Sequence, residues 1–115
     1  MAVFPTSSAA LTVRPPILID GNAGFTAANG VVGGSGTPAD PYVIEGWEID
    51  TRFADGVEVR NTNAYFVVRD SLFYSTRTDY WGTNGVRLTN VTNARVENTT
   101  ARDNTIGIIV SKSSF

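Results

Sequence analysis

Gly56-Val57-Glu58-Val59-Arg60-Asn61 returns as Gly85-Val86-Arg87-Leu88-Thr89-Asn90, and again as Gly107-Ile108-Ile109-Val110-Ser111-Lys112. Each copy is a glycine, an apolar residue, a variable one, a second apolar residue and a polar one. The glycines are 22 residues apart between the second and third copies and 29 apart between the first and second. The excess of seven matches the stretch Ser75-Thr76-Arg77-Thr78-Asp79-Tyr80-Trp81. Apolar residues at every second position mark strands with one buried face. A recurring period of this length marks a stacked repeat.

Working outward, a second strand falls inside each period. Val57 to Val67 is ten residues and Val86 to Val96 is also ten, with a further apolar position five residues on. Three columns are expected from this spacing: Ile44, Val67 and Val96; Ile49, Leu72 and Ala101; Val57, Val86 and Ile108. Tyr65-Phe66-Val67-Val68 is apolar throughout and shows no period of two, so the register there is ambiguous. Three short strands per turn with equivalent positions stacked describe an all-β parallel β-solenoid, a right-handed parallel β-helix of about three coils. Each coil relies on its neighbours to bury its apolar face. A β-sandwich or meander is the competing reading, and Asn29-Gly30 and Asn84-Gly85 are hairpin signals of the kind it needs.

Composition agrees with a β chain. Val, Ile and Thr supply 34 of 115 residues, types that suit a pleated, half-buried surface. The length is that of a single domain, 1–115, read as a lead and cap over 1–40 and coils over 41–115. The formal charge of -2 makes no polyanion-binding surface, so no nucleic-acid partner is expected. Cysteine and histidine are absent, which removes thiol chemistry, Cys/His zinc sites and a Ser-His-Asp triad. No apolar run approaches the roughly 20 residues of a membrane helix, so no membrane insertion is expected. Met1 to Ala10 has no basic region or apolar core of a secretion signal, consistent with a mature exported segment or a cytosolic product.

Three segments then carry a resemblance: Ile19-Asp20-Gly21-Asn22-Ala23-Gly24-Phe25, the glycine-rich Asn29 to Thr37, and Asp40-Pro41-Tyr42-Val43-Ile44-Glu45-Gly46-Trp47-Glu48-Ile49. Together they resemble the amino-terminal portion of right-handed parallel β-helix surface proteins of archaea and bacteria, whose repeats are similar to the NosD family. The Gly-Val-x-Leu and Val-Glu-Asn-Thr runs look like that group's coils, so the resemblance spans roughly 17–114. It implies a right-handed β-helix, an extracellular or cell-surface setting and a frequent link to carbohydrate, but no single activity. A copper role does not carry over, because copper wants His, Cys or Met and only Met1 is present. No cofactor and no metal are expected. Related β-helices are often several hundred residues long, so this chain reads as an N-terminal fragment, a shortened relative or a subunit completed by a partner.

Catalysis on such a scaffold would need paired carboxylates or a carboxylate-calcium site. Glu45, Glu48 and Asp50 are close in sequence, yet acids alternating along a strand more often form a solvated face. No catalytic residue is assigned, and a polysaccharide lyase or hydrolase fragment is the third-ranked function. The leading function is a non-catalytic extracellular or cell-surface module for adhesion or glycan contact. Its candidate ligand-binding residues are Tyr74, Arg77, Asp79, Tyr80 and Trp81, aromatic faces with polar neighbours on a loop interrupting the repeat. The bland reading is that Tyr80 and Trp81 fold back over a sheet, and that Trp47 shields the first coil. Asn61, Asn90, Asn93, Asn98 and Asn104 fall at coil turns, where Asn tolerates a left-handed backbone and its amide can bond neighbouring turns. Asn90-Val91-Thr92 and Asn98-Thr99-Thr100 match the glycosylation acceptor pattern, so Asn90 and Asn98 are candidate modification sites.

The free end is the last expectation. A solenoid needs caps, and the lead with its glycine loop can cap one end. Nothing after Gly107 resembles a cap, which leaves Ile108, Ile109, Val110 and Phe115 open. A structural homo-oligomer assembling through this end is the second-ranked function, head to head as a dimer or head to tail as a filament.

Overall fold

The alternation in Gly56 to Asn61 and its copies becomes one strand per copy, stacked in register. The structure, a computed structural model, describes residues 10–76, 83–102 and 106–111. β2 (Ile17–Asp20), β6 (Val57–Thr62), β9 (Asn84–Val91) and β12 (Ile106–Ser111) form sheet I, in the order β12-β9-β6-β2. β3 (Val31–Gly33), β4 (Tyr42–Glu45), β7 (Phe66–Arg69) and β10 (Ala94–Glu97) form sheet II, in the order β10-β7-β4-β3. β1 (Thr12–Val13), β5 (Trp47–Asp50), β8 (Leu72–Tyr74) and β11 (Thr100–Arg102) form sheet III, in the order β1-β5-β8-β11. The chain visits sheets I, II and III in rotation, and each strand pairs parallel with its counterpart from the previous visit. β3 and β4 are the antiparallel exception. The described part is therefore a β-rich fold of three mainly parallel sheets, with 3-10 turns at Asn22–Gly24 and Ala27–Asn29. Among the described residues no helix is long and apolar enough to cross a membrane.

Alternation sends every second residue into a shared interior. In sheet I, Ile17, Val57, Val86 and Ile108 form one column and Ile19, Val59, Leu88 and Val110 the next. The column of Val57, Val86 and Ile108 is the one the sequence predicts. The other two expected columns are each displaced by one residue. Ile44 stacks on Val68, not Val67, before Val96, and Ile49 stacks on Phe73, not Leu72, before Ala101. The cause is a difference in turn length. Val57 pairs with Val86, 29 residues on, but Phe66 pairs with Ala94, 28 residues on, so the turn after β6 is one residue longer than the turn after β9. A one-residue slip exchanges the two faces of a strand. Phe73 is accordingly in the core, whereas Leu72 faces outward opposite Glu48 and Thr100.

The repeat glycines occupy the corner where sheet III passes into sheet I. A Cβ on Gly56 would sit 2.5 Å from Phe73 Cδ1 and 2.6 Å from the Gly85 carbonyl oxygen. One on Gly85 would sit 2.7 Å from the Gly107 carbonyl oxygen and 2.9 Å from Ala101 Cβ. Backbone obstacles cannot swing aside, so the period is glycine-marked because the layers approach too closely for any side chain. At Gly107 the nearest obstacle is Ala101 Cβ, at 3.4 Å. Gly56→Ala and Gly85→Ala should each lower the unfolding free energy by about 1–3 kcal/mol in urea titrations. Gly107→Ala should change it by no more than about 0.5 kcal/mol; equal losses at all three positions would sink this account of the glycine column.

Candidate functional site

Of the loop residues expected to meet a ligand, Tyr74 is placed by the structure, at the end of β8. Arg77, Asp79, Tyr80 and Trp81 lie outside the described residues, as does Phe115 of the expected self-association set. Tyr74 stands in an outward row between Asp50 and Arg102. The Arg102 guanidinium carbon lies 6.0 Å from its ring centroid. Desolvation, followed by the negative fields of Glu48 and Asp50, pushes the Tyr74 phenol above its ordinary value. Asp50 braces the chain where it leaves β8. Its Oδ1 accepts from the Arg52 amide at 3.0 Å and the Thr76 amide at 3.2 Å, and its Oδ2 accepts from the Thr76 hydroxyl at 2.8 Å.

The asparagines gather at two corners, each holding a column of residues with left-handed backbone. Gly21, Asn61 and Asn90 share one, with φ of 84°, 59° and 55°. Gly46, Asp70 and Asn98 share the other, with φ of 80°, 51° and 44°. Glycine adopts this conformation without strain, and Asn and Asp tolerate it better than other side-chain-bearing residues. At the first corner the amides also bond along the stack. Asn61 Nδ2 donates to Asp20 Oδ1 at 2.9 Å, and Asn90 Nδ2 donates to Asn61 Oδ1 at 3.1 Å. At the second corner Asn98 Nδ2 donates to Asp70 Oδ1. Both candidate glycosylation residues, Asn90 and Asn98, thus have the nitrogen that a glycan would take engaged with the layer beneath.

A shallow recess lies beside the first corner. It is lined by Asn22, Asn61, Thr62, Asn63, Asn90 and Thr92 and has a volume of about 520 Å³. Its polar groups are largely occupied with one another. Asn22 Nδ2 donates to Asn63 Oδ1 at 3.0 Å, the Thr62 hydroxyl donates to Asn22 Oδ1, and Asn93 Nδ2 donates to the Asn63 carbonyl at 2.8 Å. The recess is bracing between layers. Among the described residues no three acidic side chains gather where they could hold a metal ion.

Sequence reasoning missed two side-chain groups. Asp55 Oδ1 accepts from both the amide and the side chain of buried Asn84, at 2.7 and 3.0 Å, and so closes the corner that leads into β9. On sheet II, Arg69 Nε lies 2.7 Å from Glu45 Oε1, and Glu97 follows in the same outward row. Glu45, with Asp70 and Glu97 adding their fields, holds the Arg69 guanidinium above its ordinary value. Alternation of charge up a column shows only when the register is known.

The two ends of the stack differ. At the start, the loop around the two 3-10 turns lies on the first layer: a Cβ on Gly24 would be 3.0 Å from Ile19 Cγ2 and one on Gly30 2.7 Å from Ile17 Cδ1. Phe25 is buried there, stacked on Tyr42 with centroids 4.6 Å apart. Trp47 Nε1 donates to the Gly30 carbonyl at 2.8 Å, and the Arg14 guanidinium carbon lies 5.3 Å from the Trp47 ring centroid. At the other end, Ile108 and Val110 are 47% and 43% exposed, although the residues they stack on, Val86 and Leu88, are 0% and 1% exposed. β12 is terminal in sheet I and carries no charged residue from Ile106 to Ser111. The other two terminal strands at this end carry Arg95, Glu97 and Arg102. No family model matches the chain, and neither does any curated protein or solved structure.

The Asn61 corner makes a graded prediction. Asn61→Ala forfeits two bonds and places alanine at φ 59°, whereas Asn61→Gly forfeits the bonds alone. Alanine should cost about 2 kcal/mol of stability, of which glycine recovers about 1. The bond from Asn61, with help from Arg60, holds the Asp20 carboxyl below its ordinary value against an opposing desolvation. A carboxyl depressed on folding adds stability above its unfolded value and loses it as pH falls through the folded value. An NMR titration should therefore find Asp20 below the usual range in the native chain and closer to it in Asn61→Ala.

Proposed function

We propose that this chain is a right-handed parallel β-helix that works by contact instead of turnover, adding a further β layer at its open end, outside the cell or on its surface. The rotation of the chain through three sheets, with parallel pairing between successive visits, supports the helical reading. Parallel crossover connections are right-handed in about 98% of cases, which supports the hand. The resemblance of the lead and coils to NosD-like surface proteins agrees with both fold and setting. Carbohydrate contact at Tyr74, Arg77, Asp79, Tyr80 and Trp81 is the other reading, for which the described geometry offers Tyr74 with Arg102 over its ring.

One observation carries the choice of association. Two core columns run buried through three layers and arrive at Ile108 and Val110 with their apolar faces open. At roughly 25 cal/mol per Å² of apolar surface, covering them is favourable for any strand that brings a matching face. Light scattering across a tenfold concentration series should show a weight-average mass rising above 12.3 kDa. Val110→Lys should hold the mass at the monomer value with an unchanged circular dichroism spectrum, because the side chain is already 43% exposed. A native chain that stays at the monomer mass throughout would end the proposal.

A further inference from the structure

We infer that the layer added at the open end is β12 of a second copy, paired antiparallel about a two-fold axis through Ile109, so that assembly stops at the dimer. This rests on the proposed association and specifies its partner and geometry.

Two arrangements of identical chains could extend sheet I. In the head-to-tail one, β12 of one copy pairs parallel with β2 of the next, setting Ile108 against Ile17, Ile109 against Leu18 and Val110 against Ile19. The apolar match is good, but the place is taken. The backbone of Gly24 lies against Ile19, where a Cβ on Gly24 would be 3.3 Å from Ile19 Cα and 3.6 Å from its carbonyl carbon. Gly30 closes over the Ile17 side chain, where a Cβ would be 2.7 Å from Cδ1, and its carbonyl is held by Trp47. Phe25, 8% exposed, anchors this segment between Tyr42 and Phe66, with ring centroids 4.6 and 5.2 Å away. Freeing the edge of β2 would expose Phe25, Ile17 and Ile19 together.

In the head-to-head arrangement β12 meets itself. Ile109 lies opposite Ile109 of the second copy on the outer face. Ile108 lies opposite Val110 and Val110 opposite Ile108 on the inner face, so both open columns are closed at once. A strand is self-complementary in this sense only if its inward residues are apolar on both sides of the axis, and Ile108-Ile109-Val110 is. Its lack of charge removes the like-charge repulsion that a self-facing edge would otherwise meet. Natural edges avoid such pairing with charges, prolines or bulges, and from Ile106 to Ser111 the strand has no charge and no proline. A two-fold contact uses the same patch on both copies and so closes.

The test uses the absence of cysteine from the chain. Antiparallel partners directly opposite each other have Cα atoms roughly 4.5–5.5 Å apart, within the range a disulfide spans. Ile109→Cys should therefore oxidise to a covalent dimer on the order of a hundredfold faster than Val32→Cys, an exposed control away from the end, because the paired thiols see a mM effective concentration against µM protein. The native mass should level off at twice the monomer. Mass that climbs past the dimer, or disulfides forming between Ile109→Cys and Leu18→Cys chains in a mixture, would overturn the two-fold geometry and leave association standing. A native chain that is monomeric at every concentration would overturn both.

Discussion

Everything in this fold depends on strands stacking in register on their own earlier copies. A single layer offers only a few inward residues, such as Val57 and Val59 with Phe66, Val68 and Phe73. Such a layer cannot keep its apolar face dry alone, so the interior exists only as columns shared between layers. The period therefore matters more than any individual side chain. Valine, isoleucine and leucine replace one another down the Ile19, Val59, Leu88, Val110 column, because a stack asks for apolar bulk at a fixed height. The repeat glycines express the same constraint from the other side. Gly56 and Gly85 mark where neighbouring layers come so close that a side chain would meet the backbone of the next layer.

Turning the chain three times per layer sets a second requirement. Two of the corners place a residue in the left-handed region at three successive described levels, with glycine at the first level and Asn or Asp above it. The substitution does more than tolerate the backbone. The Asn61, Asn90 and Asn98 amides each reach a side-chain oxygen in the layer beneath, so the corners are tied along the axis by side chains as the sheets are tied by main chain. The outward rows are tied more weakly. Pairs such as Glu45 with Arg69 are exposed to water, and each contributes roughly 0–1 kcal/mol. Their arrangement chiefly prevents like charges from stacking.

The ends then differ for a reason internal to the chain. The first layer is sealed by a short loop with Phe25 as its anchor and Trp47 holding its return, so apolar surface that would otherwise face water is covered locally. The last described strand of sheet I repeats the interior pattern, but its Ile108 and Val110 remain about half exposed. An uncapped column is at once a cost in exposed surface and a selective surface, because only a strand with alternating apolar residues at the right height fills it.

The sequence by itself determined the strand content, the glycine-marked period, the column of Val57, Val86 and Ile108, and the left-handed backbone at Asn61, Asn90 and Asn98. These are local matters of alternation, period and backbone preference, all legible in one dimension. Trp47 as a shield over the first layer was also legible, from its place beside the glycine loop. Only the tertiary structure decided that Val68 and Phe73, not Val67 and Leu72, continue the inward columns, although Val67 is itself 4% exposed on the other face of its strand. In a run of four apolar residues either alternate set can face inward, and the length of the preceding turn settles which does. The Asp55–Asn84 clasp and the Glu45–Arg69–Glu97 row were likewise beyond the sequence. Their partners lie some two dozen residues apart or more, and nothing brings them together until the layers are stacked.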